Sequence, residues 1–197
     1  MSFTPIKYRS ILPKISDKAL IAPNAIISGD TEIMENTNIW YNVVIRGDVA
    51  PIRIGKNTNI QDGTIIHVTR PNHPQNKTDE NGAPTIIGDY VTIGHMAMIH
   101  ACKIDSRAFI GMSSVIMDLA HIESEAMIAA GAVITPKKII KRGEIWAGNP
   151  GKFLRRMSES EISYITKSAE NYVELAKEYF SWIYSTISII AFGALSP

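Results

Sequence analysis

The sequence predicts an all-β fold, a solenoid of short strands closed by one C-terminal α-helix. Isoleucine returns every sixth residue: Ile21, Ile27, Ile33, Ile39, Ile45; Ile54, Ile60, Ile66; Ile87, Ile93, Ile99; and Ile104, Ile110, Ile116, Ile122, Ile128, Ile134. That period fits neither the helical repeat of about 3.6 residues nor simple strand alternation, so the chain must turn a corner once per repeat. The residue four places after the isoleucine is usually small or β-branched, as at Ala25, Thr37, Val43, Thr64, Ala97, Ala108 and Ala132, which suits the cramped inside of a bend. From Ser158 the pattern changes to helical spacing.

Taken in order, residues 1–20 read as an irregular lead-in and residues 21–136 as the solenoid. Two interruptions break it. Three extra residues around Ala50 and Pro51 are expected to bulge from a corner. The polar stretch from Arg70 to Ala83, rich in Pro and Asn, is expected as a loop expelled from the coil. Gly148, Asn149 and Pro150 mark an exit turn after Trp146. Ser158 and Glu161 form a capping box, and Ile162, Ile165, Ala169, Tyr172, Val173 and Ala176 share the face that should pack on a solenoid wall or a neighbouring subunit. The division expected is 1–157 for the solenoid with its lead-in and 158–197 for the helix and an apolar tail. That tail, Phe180 to Pro197, falls short of the roughly 20 apolar residues of a spanning segment.

Composition narrows the function. A formal net charge of +1 gives no footprint for nucleic acid, and membrane contact is not expected. The one cysteine, Cys102, has no intrachain partner and reads as packing; the opening residues MSFTPIKYRS lack the apolar run of a signal peptide. The expected location is the cytoplasm.

The hexads resemble those of the hexapeptide-repeat proteins, which implies a left-handed parallel β-helix with three hexads per coil. With coils about 4.8 Å apart, residues three hexads apart stack. If Ile54, Ile60 and Ile66 mark faces one, two and three, then His67 and His100 stack on face three, each following an inward isoleucine and so pointing outward. Two such imidazoles can share a metal ion. His95 lies around a corner on face two, so a second chain must supply it, and three chains packed face two against face three close a ring. Arg46 lies below His67 and Asp62 below His95, so the same packing makes them an intersubunit ion pair. His73 reads as a solvated loop residue and His121 as an exposed, idle corner residue. Met96, Met98, Met112, Met117 and Phe109 read as core or interface filling.

The hexads together with RGD at Arg46 to Asp48, NIQD at Asn59 to Asp62, GHMAMIH at Gly94 to His100, AGNPGK at Ala147 to Lys152 and NY at Asn171–Tyr172 resemble the γ-class carbonic anhydrase family. The resemblance implies a homotrimer with zinc, or iron in some members, held by His67, His95 and His100 across each interface. It also implies an Arg46–Asp62 pair supported by Asp48, a Gln61 that orients metal-bound solvent with help from Asn59, and a Tyr172 that lines the site. The implied reaction is reversible hydration of carbon dioxide by metal-bound hydroxide. Active members carry proton-exporting glutamates after the RGD-type aspartate and in the loop; here Val49 follows Asp48 and the loop offers His73, Asp79 and Glu80, which argues for slow turnover. Two alternatives stand beside it: a metal-dependent hydrolase of acyl-CoA thioesters or another small carbonyl substrate, and a structural or assembly protein with a vestigial metal site.

Overall fold

The protein is described from a computed structural model over residues 3–74, 78 and 80–193, with residues 182–193 described by their backbone alone. Asp79 and the end of the apolar tail, 194–197, lie outside the described residues.

The chain winds into a parallel β-helix. Isoleucines three hexads apart pair in register: Ile27↔Ile45, Ile45↔Ile66, Ile66↔Ile99, Ile99↔Ile116 and Ile116↔Ile134 on face three, and Ile21↔Ile39, Ile39↔Ile60, Ile60↔Ile93, Ile93↔Ile110 and Ile110↔Ile128 on face two. Face two is a separate 8-stranded sheet, whereas faces one and three belong to a single 11-stranded sheet. These isoleucines, together with the small corner residues, form one buried core. The corners turn through residues in the left-handed region at strict six-residue spacing, Arg107, Ser113, Leu119, Glu125, Gly131, Lys137 and Gly143, each immediately before a sharp change of strand direction.

Two details depart from the sequence reading. The solenoid is longer than 21–136, because Lys14–Ile15 already pairs with Glu32 and Ile33, and Ile139–Ile140 and Glu144–Ala147 continue the stack. The three extra residues around Ala50 and Pro51 bulge as expected, within the long strand Val44–Ile54: Gly47 pairs with Gly29 and Ile52 with Thr31, so residues 48–51 stand opposite Asp30 alone. That strand joins faces one and three, pairing with both Ile65–His67 and Thr85–Ile87. His121 is not idle: its Nε2 meets Asp105 Oδ2 at 2.7 Å on face one. The loop after Arg70 is expelled as expected, its neck closed by reciprocal backbone hydrogen bonds between Thr69 and Ala83.

After the exit turn, Lys152–Arg156 pairs antiparallel with Glu144–Ala147 and delivers the chain to the helix Glu159–Gly193. The capping box forms, with the Ser158 amide donating to Glu161 Oε2 at 2.8 Å and the Glu161 amide to Ser158 Oγ at 3.3 Å. Ile165, Ala169, Val173, Ala176 and Phe180 are buried, and Ala176 and Phe180 pack with Ala22 and Trp40 against face two. The helix packs chiefly on the face-two strands Leu20–Ile21, Asn38–Ile39, Asn59–Ile60 and Thr92–Ile93. Among the described residues no helix is long and apolar enough to cross a membrane.

Ion pairs brace the far end of the solenoid. Glu125 lies between Arg107, at 3.0 Å, and Arg142. Burial alone would raise its carboxyl pKa, but hydrogen bonds and charge from Arg142 and Arg107 outweigh that and hold it below the ordinary value. A depressed folded pKa stabilises above the unfolded value and loses that contribution as pH falls. Glu125→Gln is therefore expected to lower the unfolding temperature at neutral pH, with the gap from the parent closing as pH is taken below about 4; thermal melts across pH check this.

Candidate metal centre

The register of face three places the first two candidate ligands. His67 pairs with His100 strand to strand, and the two rings lie 5.2 Å apart centre to centre, outside the coil and beside the expelled loop. His67 Nδ1 and His100 Nε2 face each other at 3.2 Å. Two nitrogens bound to one tetrahedral ion at about 2.0–2.1 Å stand about 3.3 Å apart, so the pair has the spacing of two metal ligands. The remaining ring nitrogens rest on carboxylates: His67 Nε2 on Asp48 Oδ1 at 2.9 Å and His100 Nδ1 on Asp118 Oδ2 at 3.1 Å. Zinc-binding histidines are commonly oriented in this way.

Burial pushes the His67 pKa down, and its electrostatic interactions with Arg46 and with the neighbouring His100 ring add to that against the opposing pull of Asp48. The ring is thus disposed to be neutral, as a ligand must be. Burial works to raise the Asp48 carboxyl, yet hydrogen bonding and charge from His67 and Arg46 leave it below its usual range. The Arg46 guanidinium rests on the second Asp48 oxygen. Gly47 between them cannot carry a side chain, since a Cβ there would lie 2.5 Å from the Asp30 carbonyl oxygen of the adjacent coil. Arg46, Asp48, His67, His100, Asp118, Arg70 and His73 line one cavity of about 570 Å³. His73, a partly exposed loop residue, lines this cavity.

His95 lies on the other wall. Its Nδ1 meets Asp62 Oδ2 at 2.9 Å, and Asp62 Oδ1 accepts the Tyr41 amide at 3.1 Å. The carboxylate again takes one ring nitrogen, turning the other outward. Beside it Asn59 is fully buried, donating to Thr92 Oγ1 at 2.9 Å and accepting from Gln61 Nε2 at 3.0 Å. Gln61, His95 and Tyr172 line a second cavity of about 360 Å³ between face two and the helix. Burial raises the Tyr172 hydroxyl pKa, with Asp62 and Tyr164 adding to it.

Within one chain, then, the predicted residues fall into two groups: Arg46, Asp48, His67 and His100 on face three, and Asn59, Gln61, Asp62, His95 and Tyr172 on face two. Among the described residues no group of three or more His, Cys, Asp or Glu converges on a metal position inside the single chain. Arg46 and Asp62 do not meet in it; Arg46 pairs with Asp48, and both Arg46 and Asp62 keep substantial exposure. Met96, next to His95 in sequence, and Met112, which lines the same cavity as His95, are exposed in the single chain, which leaves interface filling as their reading. Asp118 escaped the sequence reading. It sits at no motif position, and only the coil stacking brings it to His100.

Comparison with known proteins shows the family. The family "Bacterial transferase hexapeptide (six repeats)" matches residues 13–47. The chain is 40% identical over 168 residues to a probable carbonic anhydrase of Methanocaldococcus jannaschii, covering 85% of this chain and 99% of that protein. It is 43% identical over 171 residues to the mitochondrial γ carbonic anhydrase 2 of Arabidopsis thaliana, covering 86% of this chain but spanning only 59% of that protein. A crystal structure of a hexapeptide transferase family protein from Anaplasma phagocytophilum superposes with a TM-score of 0.80 at 46% identity, covering 89% of this chain and 97% of that one. The chain belongs to the γ-class carbonic anhydrase-like family of hexapeptide-repeat proteins.

Proposed function

We propose that the protein forms a homotrimer in which His67 and His100 of one protomer and His95 of its neighbour hold zinc, or iron as in some family members, and that each such site hydrates carbon dioxide reversibly. The observation that carries this reading is the 3.2 Å approach of the His67 and His100 nitrogens, with His95 presented on the adjoining wall beside Gln61. Face three supports it. Next to the histidine column runs an apolar one, Ile26, Val44, Ile65, Met98, Val115 and Val133, with Ile26 and Ile65 exposed. A neighbour's face two laid against that stripe buries it.

The ion, when bound, supplies a Lewis acid that makes water acidic near neutral pH. The chain's own residues do the rest. Asp48, Asp118 and Asp62 fix the three imidazoles. Gln61 spends an amide hydrogen on Asn59, which leaves its Oε1 to accept the hydrogen of reacting water or of the product's hydroxyl. Val49 lines the cavity where active relatives are expected to carry a carboxylate, so proton export should limit turnover.

Arg46→Ala or Asp62→Ala is expected to weaken the trimer by about tenfold or more in dissociation constant, because each removes one half of the ion pair proposed across the interface; sedimentation across micromolar concentrations checks it. The function itself is tested by stopped-flow carbon dioxide hydration on zinc-loaded protein, with acyl-CoA hydrolysis run alongside. Hydration above the buffer rate, lost in His95→Ala, is expected. Thioester hydrolysis without hydration would favour the hydrolase, and neither activity from a zinc-loaded trimer would favour an assembly role.

A further inference from the structure

Asp118 is a carboxylate that no sequence motif marks, and its hold on His100 has a second layer. It lies two residues past Ile116, one coil beyond His100, and its side chain is 14% exposed. Its two oxygens do different things. Oδ2 faces His100 Nδ1 at 3.1 Å, and Oδ1 takes the hydroxyl of Thr69. Thr69 is the first residue of the loop neck, bonded across it to Ala83. On the other leg, the Thr85 hydroxyl donates to the His67 carbonyl oxygen at 2.6 Å.

An ionised carboxylate accepts hydrogen bonds only, so at Oδ2 it selects the imidazole tautomer with hydrogen on Nδ1. That leaves the His100 Nε2 lone pair aimed at the point where His67 Nδ1 also arrives. The Thr69 hydroxyl stops the carboxylate from rotating, because turning Oδ2 away from His100 would break both bonds at once. We propose that Asp118 is the positioning residue for His100, fixing its tautomer and ring plane for metal binding, and that Thr69 anchors Asp118 from the root of the loop. The proposal rests on the metal reading above and adds to it a residue and an order of dependence: loop root, carboxylate, ligand.

The test uses full-length protein and zinc itself. Asp118→Ala is expected to weaken zinc binding by about 10–100-fold in chelator competition, and Thr69→Val to weaken it by a smaller factor. Asp118→Asn, which keeps a carbonyl oxygen for His100, should fall between the parent and Asp118→Ala. Nitrogen-15 spectra of the metal-free, histidine-labelled protein supply a readout that does not depend on zinc: the parent should show His100 with hydrogen on Nδ1, and Asp118→Ala a mixture of tautomers. A properly folded Asp118→Ala that binds zinc as tightly as the parent, or a parent whose His100 carries its hydrogen on Nε2, overturns the role given to Asp118 while leaving the shared site intact. A parent that binds no zinc overturns the shared site, and this role with it.

Discussion

Two defective chains are expected to restore one another's metal site. A His95→Ala chain keeps the His67–His100 pair, and a chain carrying His67→Ala with His100→Ala keeps His95, yet neither homotrimer should hold zinc firmly. When the two are unfolded together in equal amounts and refolded, three trimers in four contain both chains by random assortment. In a head-to-tail ring each of these has one junction where an intact pair meets an intact His95. Zinc bound tightly should therefore recover to about one quarter of the parent's content. The geometry demands this outcome because the pair and His95 occupy different walls of the same coil stack. Refolded mixed trimers with no more zinc than the defective parents would remove His95 from the ligand set.

The second large effect is on stability. Ile66 is fully buried and stacks between Ile45 and Ile99 on face three. Ile66→Ala removes buried methyl groups from a core that can collapse little, at a cost of about 2–5 kcal/mol, whereas Ile66→Val should cost about 0.5–1.5 kcal/mol. Ile65, one residue earlier, points outward and is 39% exposed. Ile65→Ala should leave the urea midpoint of the protomer nearly unchanged and instead raise the concentration needed for assembly. Equal losses of midpoint for the two alanine variants would contradict the alternation of inward and outward residues on which the site depends.

What was legible in the sequence was whatever the hexad period controls. Ile66 and Ile99 fix the register, the register stacks His67 on His100, and Ser158 with Glu161 fixes the helix start through bonds local to the sequence. The period ran further than it was followed. Ile15 precedes Ile21 by six residues, and Ile140 and Trp146 follow Ile134 at the same interval, which is why the coil extends at both ends. At Pro51 the break in the period was itself the signal: the three added residues leave as a bulge between Gly47, opposite Gly29, and Ile52, opposite Thr31. Asp118 and the His121–Asp105 pair were out of reach for a different reason. Their partners are 16–18 residues away, so they are defined by stacking rather than by any local motif.

The central claim is that the metal site exists only between protomers. Native mass spectrometry of the zinc-loaded protein tests it most directly, because mass reports assembly and metal content in the same particle. The account predicts a trimer carrying three zinc ions and, on dilution or in Arg46→Ala, a protomer that carries none. A lone protomer with a tightly bound zinc ion would contradict it.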